Sequence, residues 1–293
     1  MSYVPWNSQP LDEWARKHAR GDLIDLGGHS THYLERGGGS PVIIIHGFFY
    51  DTHMWHNNIE PLAGLFKVYA IDLWGFGYST REPMDYGYSL YSGQLLAFMD
   101  ALGIQKASMI GQSMGGGTIM KFAISHRDRI DKVILVDPAG MPNPLPLMGK
   151  IANLPLIGEI MYGLQSDFMR KLVLRKNFIR DPAFVTDSYF ENVTRFHKIK
   201  GTSQVMLAIL RKRFFDTLGD ETHAFGEINL PTLLVWGRED RSIPVERGRA
   251  MHALLKGSRL EIIDNAGHCP HDEQSGRFNQ LVIAFLGGVV EAA

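Results

Sequence analysis

One short stretch carries the residue types needed for nucleophilic catalysis. Residues 107–117 read Ala-Ser-Met-Ile-Gly-Gln-Ser-Met-Gly-Gly-Gly, an apolar run that meets Gly111-Gln112-Ser113-Met114-Gly115 and then a helix-compatible stretch to about His126. A chain that turns sharply from strand into helix holds its middle residue in a strained conformation. The flanking residues must then be nearly free of side chain, so that the two backbones can approach. Gly111 and Gly115 flank Ser113 at that spacing. The turn holds the Ser113 hydroxyl outward, and the new helix aims its first N–H groups at a developing oxyanion. A Ser hydroxyl is a poor nucleophile until a base takes its proton, and neutral imidazole suits that task near neutral pH. A carboxylate is needed in turn to orient the imidazole and offset its charge. A bare Gly-x-Ser-x-Gly match is weak, because both residues are common in turns. Its place between a strand and a helix, with His and Asp at later strand ends, makes it specific.

The elements that must position these groups follow from hydrophobic patterning. Residues 1–20 read as an N-terminal extension with a helical pattern around Leu11 to Ala15. Strand-like segments at 23–26 and 29–35 are separated by Gly27-Gly28, which suits a hairpin. Val42-Ile43-Ile44-Ile45 is β-branched without polar alternation, as in a strand buried on both faces. A helix is expected over 55–62, a strand over 67–72, and a helix over 89–102 closed by Gly103. Further strands are expected over 132–137, 232–237 and 259–264, with a last helix near 278–286. Alternating buried strands and helices imply an α/β fold, with a mostly parallel sheet covered on both faces. The alternation stops between about 140 and 226, where helical propensity dominates after Pro142, Pro144, Pro146 and Pro155. The chain therefore divides into a first core part (1–139), a helical cap (140–226) and a second core part (227–293). Ligand sites in open α/β sheets lie at the carboxyl ends of the strands, where such a cap would sit.

His46-Gly47, the loop of residues 72–79, the Ser113 turn, Gly237-Arg238-Glu239-Asp240 and Asn265-Ala266-Gly267-His268 together resemble the α/β-hydrolase superfamily with a helical cap. The resemblance covers nearly all of the chain from about residue 22. It implies the order nucleophile, acid, base, which here is Ser113, Asp240, His268. It also implies an oxyanion hole made by the backbone N–H groups of Phe48 and Met114. Phe49 and Tyr50 are expected to wall the acyl pocket, although ordinary core packing explains them equally well. Asp137 also ends a strand and competes for the acid role, as some family members place the acid there. Glu239 is a lesser competitor. Asp72 is expected to pin its own Gly-rich loop, and His46 to hydrogen-bond beside the oxyanion loop.

Other readings of the polar residues are weaker. His53 with His56, and His268 with His271, have a spacing that could seat a metal, but neither pair has a third ligand at sensible spacing. Cys269 adjoins the proposed base and is read as a buried, space-filling thiol. The clusters Arg170-Lys171, Arg175-Lys176 and Arg211-Lys212-Arg213 are read as solvated faces rather than a nucleic-acid stripe. The stretch 145–164, rich in Leu, Ile and Met, is interrupted by Lys150, Pro155 and Glu159. That suits a cap face over an apolar substrate better than a membrane-surface helix.

The balance of the 293 residues excludes several function classes. Lys+Arg (30) and Asp+Glu (31) nearly cancel, so no global field attracts nucleic acid or anionic membrane. The apolar runs stop short of the ~18 residues of a membrane span. One cysteine allows no internal disulfide, and no signal peptide is visible, so the expectation is a cytoplasmic protein, with homo-oligomerisation open. Serine at the turn sets the chain apart from the dehalogenase and epoxide hydrolase branches, which carry Asp there. Esters, lactones, thioesters and activated amides remain, as does the carbon–carbon bond beside a ketone cut by meta-cleavage product hydrolases. Those enzymes usually have Asn before the nucleophile, Trp after the catalytic His and a Gly-Pro-Gly oxyanion loop. Gln112, Cys269 and His-Gly-Phe-Phe stand here instead. The expectation is therefore a cofactor-free carboxylesterase for small-to-medium apolar acyl groups, with a small-molecule ester as its partner. Carbon–carbon hydrolysis, perhydrolase or lactonase chemistry and a non-catalytic ligand-binding member are the alternatives.

Overall fold

A computed structural model of the chain describes residues 4–144, 147–164, 166–212 and 217–288. Eight strands form one sheet: β1 (Asp22–Asp25), β2 (Ser30–Arg36), β3 (Pro41–Ile45), β4 (Lys67–Ile71), β5 (Ala107–Gln112), β6 (Ile130–Val136), β7 (Thr232–Gly237) and β8 (Arg259–Ile263). Their spatial order is β1-β2-β4-β3-β5-β6-β7-β8. The hairpin β1–β2 is antiparallel, as is β2 on β4, and every pairing from β4 through β8 is parallel. Helices α1 (Leu11–His18), α2 (Ile59–Ala63), α3 (Tyr88–Ala101) and α4 (Met114–Ser125) precede β6. Six more, α5 (Leu147–Ala152), α6 (Ile157–Leu164), α7 (Asp167–Val173), α8 (Asp187–Thr194), α9 (Thr202–Arg211) and α10 (Gly219–Ile228), lie between β6 and β7. Then come α11 (Val245–Leu254), α12 (Pro270–Glu273) and α13 (Ser275–Gly287). None of the described helices is long and apolar enough to cross a membrane.

The apolar runs form the central strands because both sheet faces are covered. Val42, Ile43, Ile44 and Ile45 are buried, as are Val133, Ile134, Leu135 and Val136. Each such side chain contributes roughly 1.5–3 kcal/mol by leaving water. Parallel strands point their carboxyl ends the same way, so the residues following β3, β5, β6 and β7 gather at one edge. The turn after α3 is closed by Gly103 at φ +66°, with Ile104 N–H donating to Met99 O at 2.8 Å.

Two expectations change. The helix expected over 55–62 is broken into a 3₁₀ turn, Thr52–Trp55, and α2. Asp51 caps the first by accepting from His53 N–H, and the Asn58 amide is drawn away to His271 O (2.8 Å) and Asn279 Oδ1 (2.9 Å). The N-terminal extension carries the expected helix as α1 and is docked on the rest of the chain, for Asn7 and Ser8 N–H donate to His197 O and Lys198 O at 3.0 and 2.8 Å. Trp14 Nε1 also donates to Arg195 O at 3.0 Å, tying α1 to the segment between β6 and β7. Arg170 does not belong to a solvated face. It is 1% exposed, lies 4.4 Å over the Trp6 ring and donates to His197 Nδ1 at 3.0 Å. Lys171, Arg211 and Lys212 do reach partly open surface, paired with Asp187, Glu159 and Asp85. Arg213, and residues 145 and 146 of the Leu-rich stretch, lie outside the described residues. From 147 to 164 that stretch leaves Leu147, Leu154, Leu156, Ile157 and Ile160 exposed.

Candidate active site

The turn from β5 into α4 holds Ser113 at φ +51°, ψ −113°. A residue with a Cβ pays roughly 1–3 kcal/mol for such a conformation, so the surroundings must enforce it. They do so through backbone bonds: Ser113 N–H donates to Val136 O at 2.9 Å, and Ser113 O accepts from Ala139 N–H at 3.0 Å. The flanking glycines permit the approach. A Cβ on Gly111 would sit 2.5 Å from the Gly115 carbonyl carbon, and one on Gly115 would sit 2.5 Å from Ile45 O. Ser113 itself is buried.

The loop after β8 delivers His268 to the same edge. Its backbone is held from three sides. His268 N–H donates to Phe178 O at 2.7 Å, Gln112 Nε2 donates to His268 O at 2.8 Å, and Gly267 N–H donates to Glu273 Oε1 at 2.7 Å. Gln112 thus ties the residue before Ser113 to the histidine loop. His268 Nδ1 lies 2.7 Å from Asp240 Oδ2, with both side chains buried. Asp240 Oδ1 accepts from Ser242 N–H (2.7 Å) and Ile243 N–H (3.0 Å). The carboxylate is therefore fixed by three donors, Nδ1 carries its proton toward it, and Nε2 is left as the acceptor. The competing acids are placed differently. Asp137 Oδ1 accepts from Gly237 N–H at 2.9 Å, and burial together with the nearby Asp240 carboxylate pushes the Asp137 carboxyl well above the usual range. Glu239 Oε2 accepts from Ala266 N–H at 3.1 Å rather than from the imidazole.

The third segment follows β3. A Cβ on Gly47 would lie 3.2 Å from Ser113 Cβ, so the loop rests directly on the turn. Phe49 has φ +79° within a turn closed by Tyr50 N–H to Gly47 O at 3.4 Å. His46 braces it: Nδ1 donates to Gly47 O at 2.8 Å, while Nε2 accepts from Leu73 N–H at 3.0 Å. A second brace comes from the segment between β6 and β7. His197 Nε2 donates to Phe49 O at 2.9 Å, and its Nδ1 accepts from Arg170. Because guanidinium only donates, the tautomer is settled by its partners, and burial keeps His197 well below the ordinary imidazole range. Phe48 and Met114 are the residues next after Gly47 and Ser113, at the contact between the two segments. The first N–H groups of α4 have no acceptor within the helix.

Aromatic rings gather beside the imidazole. Phe178, in a π-helical turn from Leu174 to Phe178, has its ring 5.6 Å from His268, stacked 5.8 Å from Phe49 and 5.9 Å from Tyr50. Cys269 is buried with Sγ 3.6 Å from the Tyr50 hydroxyl, and burial raises its thiol well above the usual range, against a thiolate role. Phe178 and His197 escaped the sequence reading. Both sit in the irregular helical segment, where no motif or period marks which residue will face the site.

The remaining polar residues fall into supporting places. Asp72 Oδ2 bonds His32 Nδ1 (2.6 Å) and Tyr78 N–H (2.9 Å), and Oδ1 accepts from Thr52 N–H (2.7 Å), so it joins β2 to two loops. Burial alone would raise its carboxyl, but the His32 imidazole outweighs this and holds it below the usual range. The His53 and His56 rings stack at 4.8 Å, and the His271 ring packs on Trp55 at 4.4 Å. Among the described residues, three possible ligand atoms converge only at Asp137, Asp240 and His268, where His268 Nδ1 is already committed to Asp240.

Comparisons with known proteins bear on the fold and the family. Residues 40–275 match the family described as alpha/beta hydrolase fold. A 2-hydroxy-6-oxo-6-phenylhexa-2,4-dienoate hydrolase of Comamonas testosteroni is 31% identical over 281 residues, covering 92% of this chain and 96% of that protein. Among solved structures, a meta-cleavage product hydrolase from Pseudomonas fluorescens IP01 superposes with a TM-score of 0.81 at 27% identity, over 92% of this chain and 98% of that one. A thermophilic esterase from Thermogutta terrifontis gives 0.78 at 25% identity, over 92% and 99%. With a match across most of its length and an eight-stranded, mostly parallel sheet flanked by helices, the chain belongs to the α/β-hydrolase fold family.

Proposed function

We propose that this hydrolase cleaves the carbon–carbon bond beside a ketone in dienoates of the meta-cleavage type. Ser113 serves as nucleophile, His268 as base and then acid, and Asp240 as the orienting acid. The observation that carries the chemistry is the His268–Asp240 bond of 2.7 Å, held at the edge where Ser113 leaves β5. His268 Nε2 takes the Ser113 proton as Oγ adds to the carbonyl, and the N–H groups of Phe48 and Met114 receive the oxyanion. The imidazolium then returns the proton to the departing carbon, and water hydrolyses the acyl-enzyme by the same route. Residues 140–226 act as a cap whose Phe178 closes an apolar wall over the acyl group with Phe49 and Tyr50. The choice of bond rests on the dienoate hydrolase relative, which matches nearly end to end.

Ester hydrolysis is the second reading, and a specific observation favours it. Gln112 is spent on His268 O and Cys269 on Tyr50, so neither place offers the Asn or Trp usual in the carbon–carbon enzymes. The esterase neighbour supports the same reading. One assay separates them: kcat/KM for 2-hydroxy-6-oxo-6-phenylhexa-2,4-dienoate against p-nitrophenyl esters of increasing acyl length, with Ser113→Ala as control. The dienoate is expected to be preferred, and Ser113→Ala is expected to lose roughly 10³–10⁶ in rate. A higher value for any ester replaces the first reading with the second, and Ser113-independent turnover removes both.

A further inference from the structure

Asp137 remains after the triad has been assigned. It directly follows β6 with φ +41°, is fully buried, and has one carboxyl oxygen on Gly237 N–H. The other, Oδ2, is buried without a hydrogen-bond partner. Ligand atoms of Asp137, Asp240 and His268 all lie within 4.8 Å of one another. Two carboxylates so close, out of water, do not both keep their charge. The donors decide which does. Asp240 is served by two N–H groups and an imidazole, Asp137 by a single N–H. Besides Asp240, the titratable groups near Asp137 are the His268 imidazole, whose Nδ1–H is committed to Asp240, the Cys269 thiol and the Glu273 carboxyl, and neither of the last two supplies positive charge.

We propose that Asp137 is a protonated carboxyl whose hydroxyl donates to the Asp240 carboxylate, making it a positioning residue for the triad acid. This rests on the triad reading above. A proton on Oδ2 turns a buried acceptor without a donor into a donor facing an acceptor, and so removes a polar defect beside the triad acid. Burial and the Asp240 charge both favour the neutral form. The function of this bond follows from its place. It holds Asp240 beside its bond to His268 and tempers the negative charge that faces the imidazole.

The test uses the labelling rate of Ser113 by a fluorophosphonate, measured across pH, which does not depend on whether esters or dienoates are the substrate. Asp137→Asn keeps a neutral donor toward Asp240 and an acceptor for Gly237 N–H, and Asn tolerates positive φ. It is expected to hold the labelling rate within about threefold and to leave the acid limb in place, whereas Asp137→Ala is expected to lose roughly 10-fold or more and to move the limb upward. An acid limb lowered by more than about one unit in Asp137→Asn would mean that a negative charge had been removed, and would overturn the proposal. So would an Asp137→Ala protein with unchanged rate and limb, or an Asn variant as impaired as the Ala variant. The Asn arm decides the protonation state even where the Ala variant does not fold. Failure of Ser113 to label at all is a different result and strikes the triad reading.

Discussion

Asp240 and Asp137 show what a sequence reveals about single residues and what it withholds. Both end strands, both are aspartates, and spacing alone left the acid role open between them. Only the side-chain directions separate them, with Asp240 2.7 Å from His268 Nδ1 and Asp137 turned to Gly237 N–H. Asp240→Asn should be far more damaging than its removal of one charge suggests. The Oδ1 position accepts from Ser242 and Ile243 N–H, so the amide oxygen will settle there and turn its NH₂ toward His268. A donor facing Nδ1 selects the wrong tautomer and takes away the base at Nε2. The expected loss in kcat is about 10³–10⁴-fold, by the logic of serine triads generally. Asp137→Asn should lose little, so steady-state kcat for the two variants ranks them, and the reverse ranking would move the acid to the end of β6. The sharp turn at Ser113 was legible because glycine-flanked strand-to-helix turns have a fixed spacing. Phe178 was not, since its contact with His268 joins residues far apart in the chain.

Elements were legible where patterning repeats, and illegible where one side chain reaches across the molecule. The buried strands announced themselves as β-branched runs, while the attachment of residues 4–20 depends on backbone bonds to 197–200 that no local pattern encodes. The same holds for the brace on the loop after β3. Phe49 adopts φ +79°, a region that an aromatic residue occupies only under restraint, and His197 restrains it by bonding the Phe49 carbonyl. Arg170, itself packed on Trp6, sets the His197 tautomer. The N-terminal segment, the inserted helices and the loop beside Ser113 thus form one connected support. His197→Ala removes its middle. The expected result is a fall in kcat of about 10-fold with KM nearly unchanged, because the loop amide is needed more by the oxyanion than by the ground state. The same variant should lose roughly 1–3 kcal/mol of stability, from the stranded Phe49 carbonyl and Arg170 donor. Steady-state kinetics beside a urea melt separates the two effects. An unchanged kcat in a destabilised protein would reduce His197 to a packing residue.

At the scale of the whole molecule, buried histidines set how the fold responds to acid. His271 sits beneath the site with its ring on Trp55 and Phe278, and neither ring nitrogen has a partner. Burial first, then the neighbouring His268 and His56, lower it from 6.5 to about 3. Above pH 6.5 the ring is neutral in folded and unfolded chains, so it has no effect on the pH dependence. Below that value the unfolded chain binds a proton that the folded chain refuses, and stability declines until the folded value is reached. At pH 5 the loss from this one group is about 2 kcal/mol relative to neutral pH. Glu273 acts in the opposite sense. Burial raises it from 4.5 to about 7, so the folded chain holds the extra proton between those values and gains stability as pH falls. The net slope of the wild type therefore mixes both, and a single variant must isolate the histidine. His271→Phe keeps an aromatic ring against Trp55 and removes both unpartnered nitrogens. Its unfolding free energy from urea melts should match or exceed the wild type at pH 7.5. The drop between pH 7.5 and pH 5 should shrink by about 2 kcal/mol. An equal drop in both proteins would show that His271 keeps its proton balance on unfolding, and would leave the acid response to groups such as His197, which burial also holds below its ordinary range.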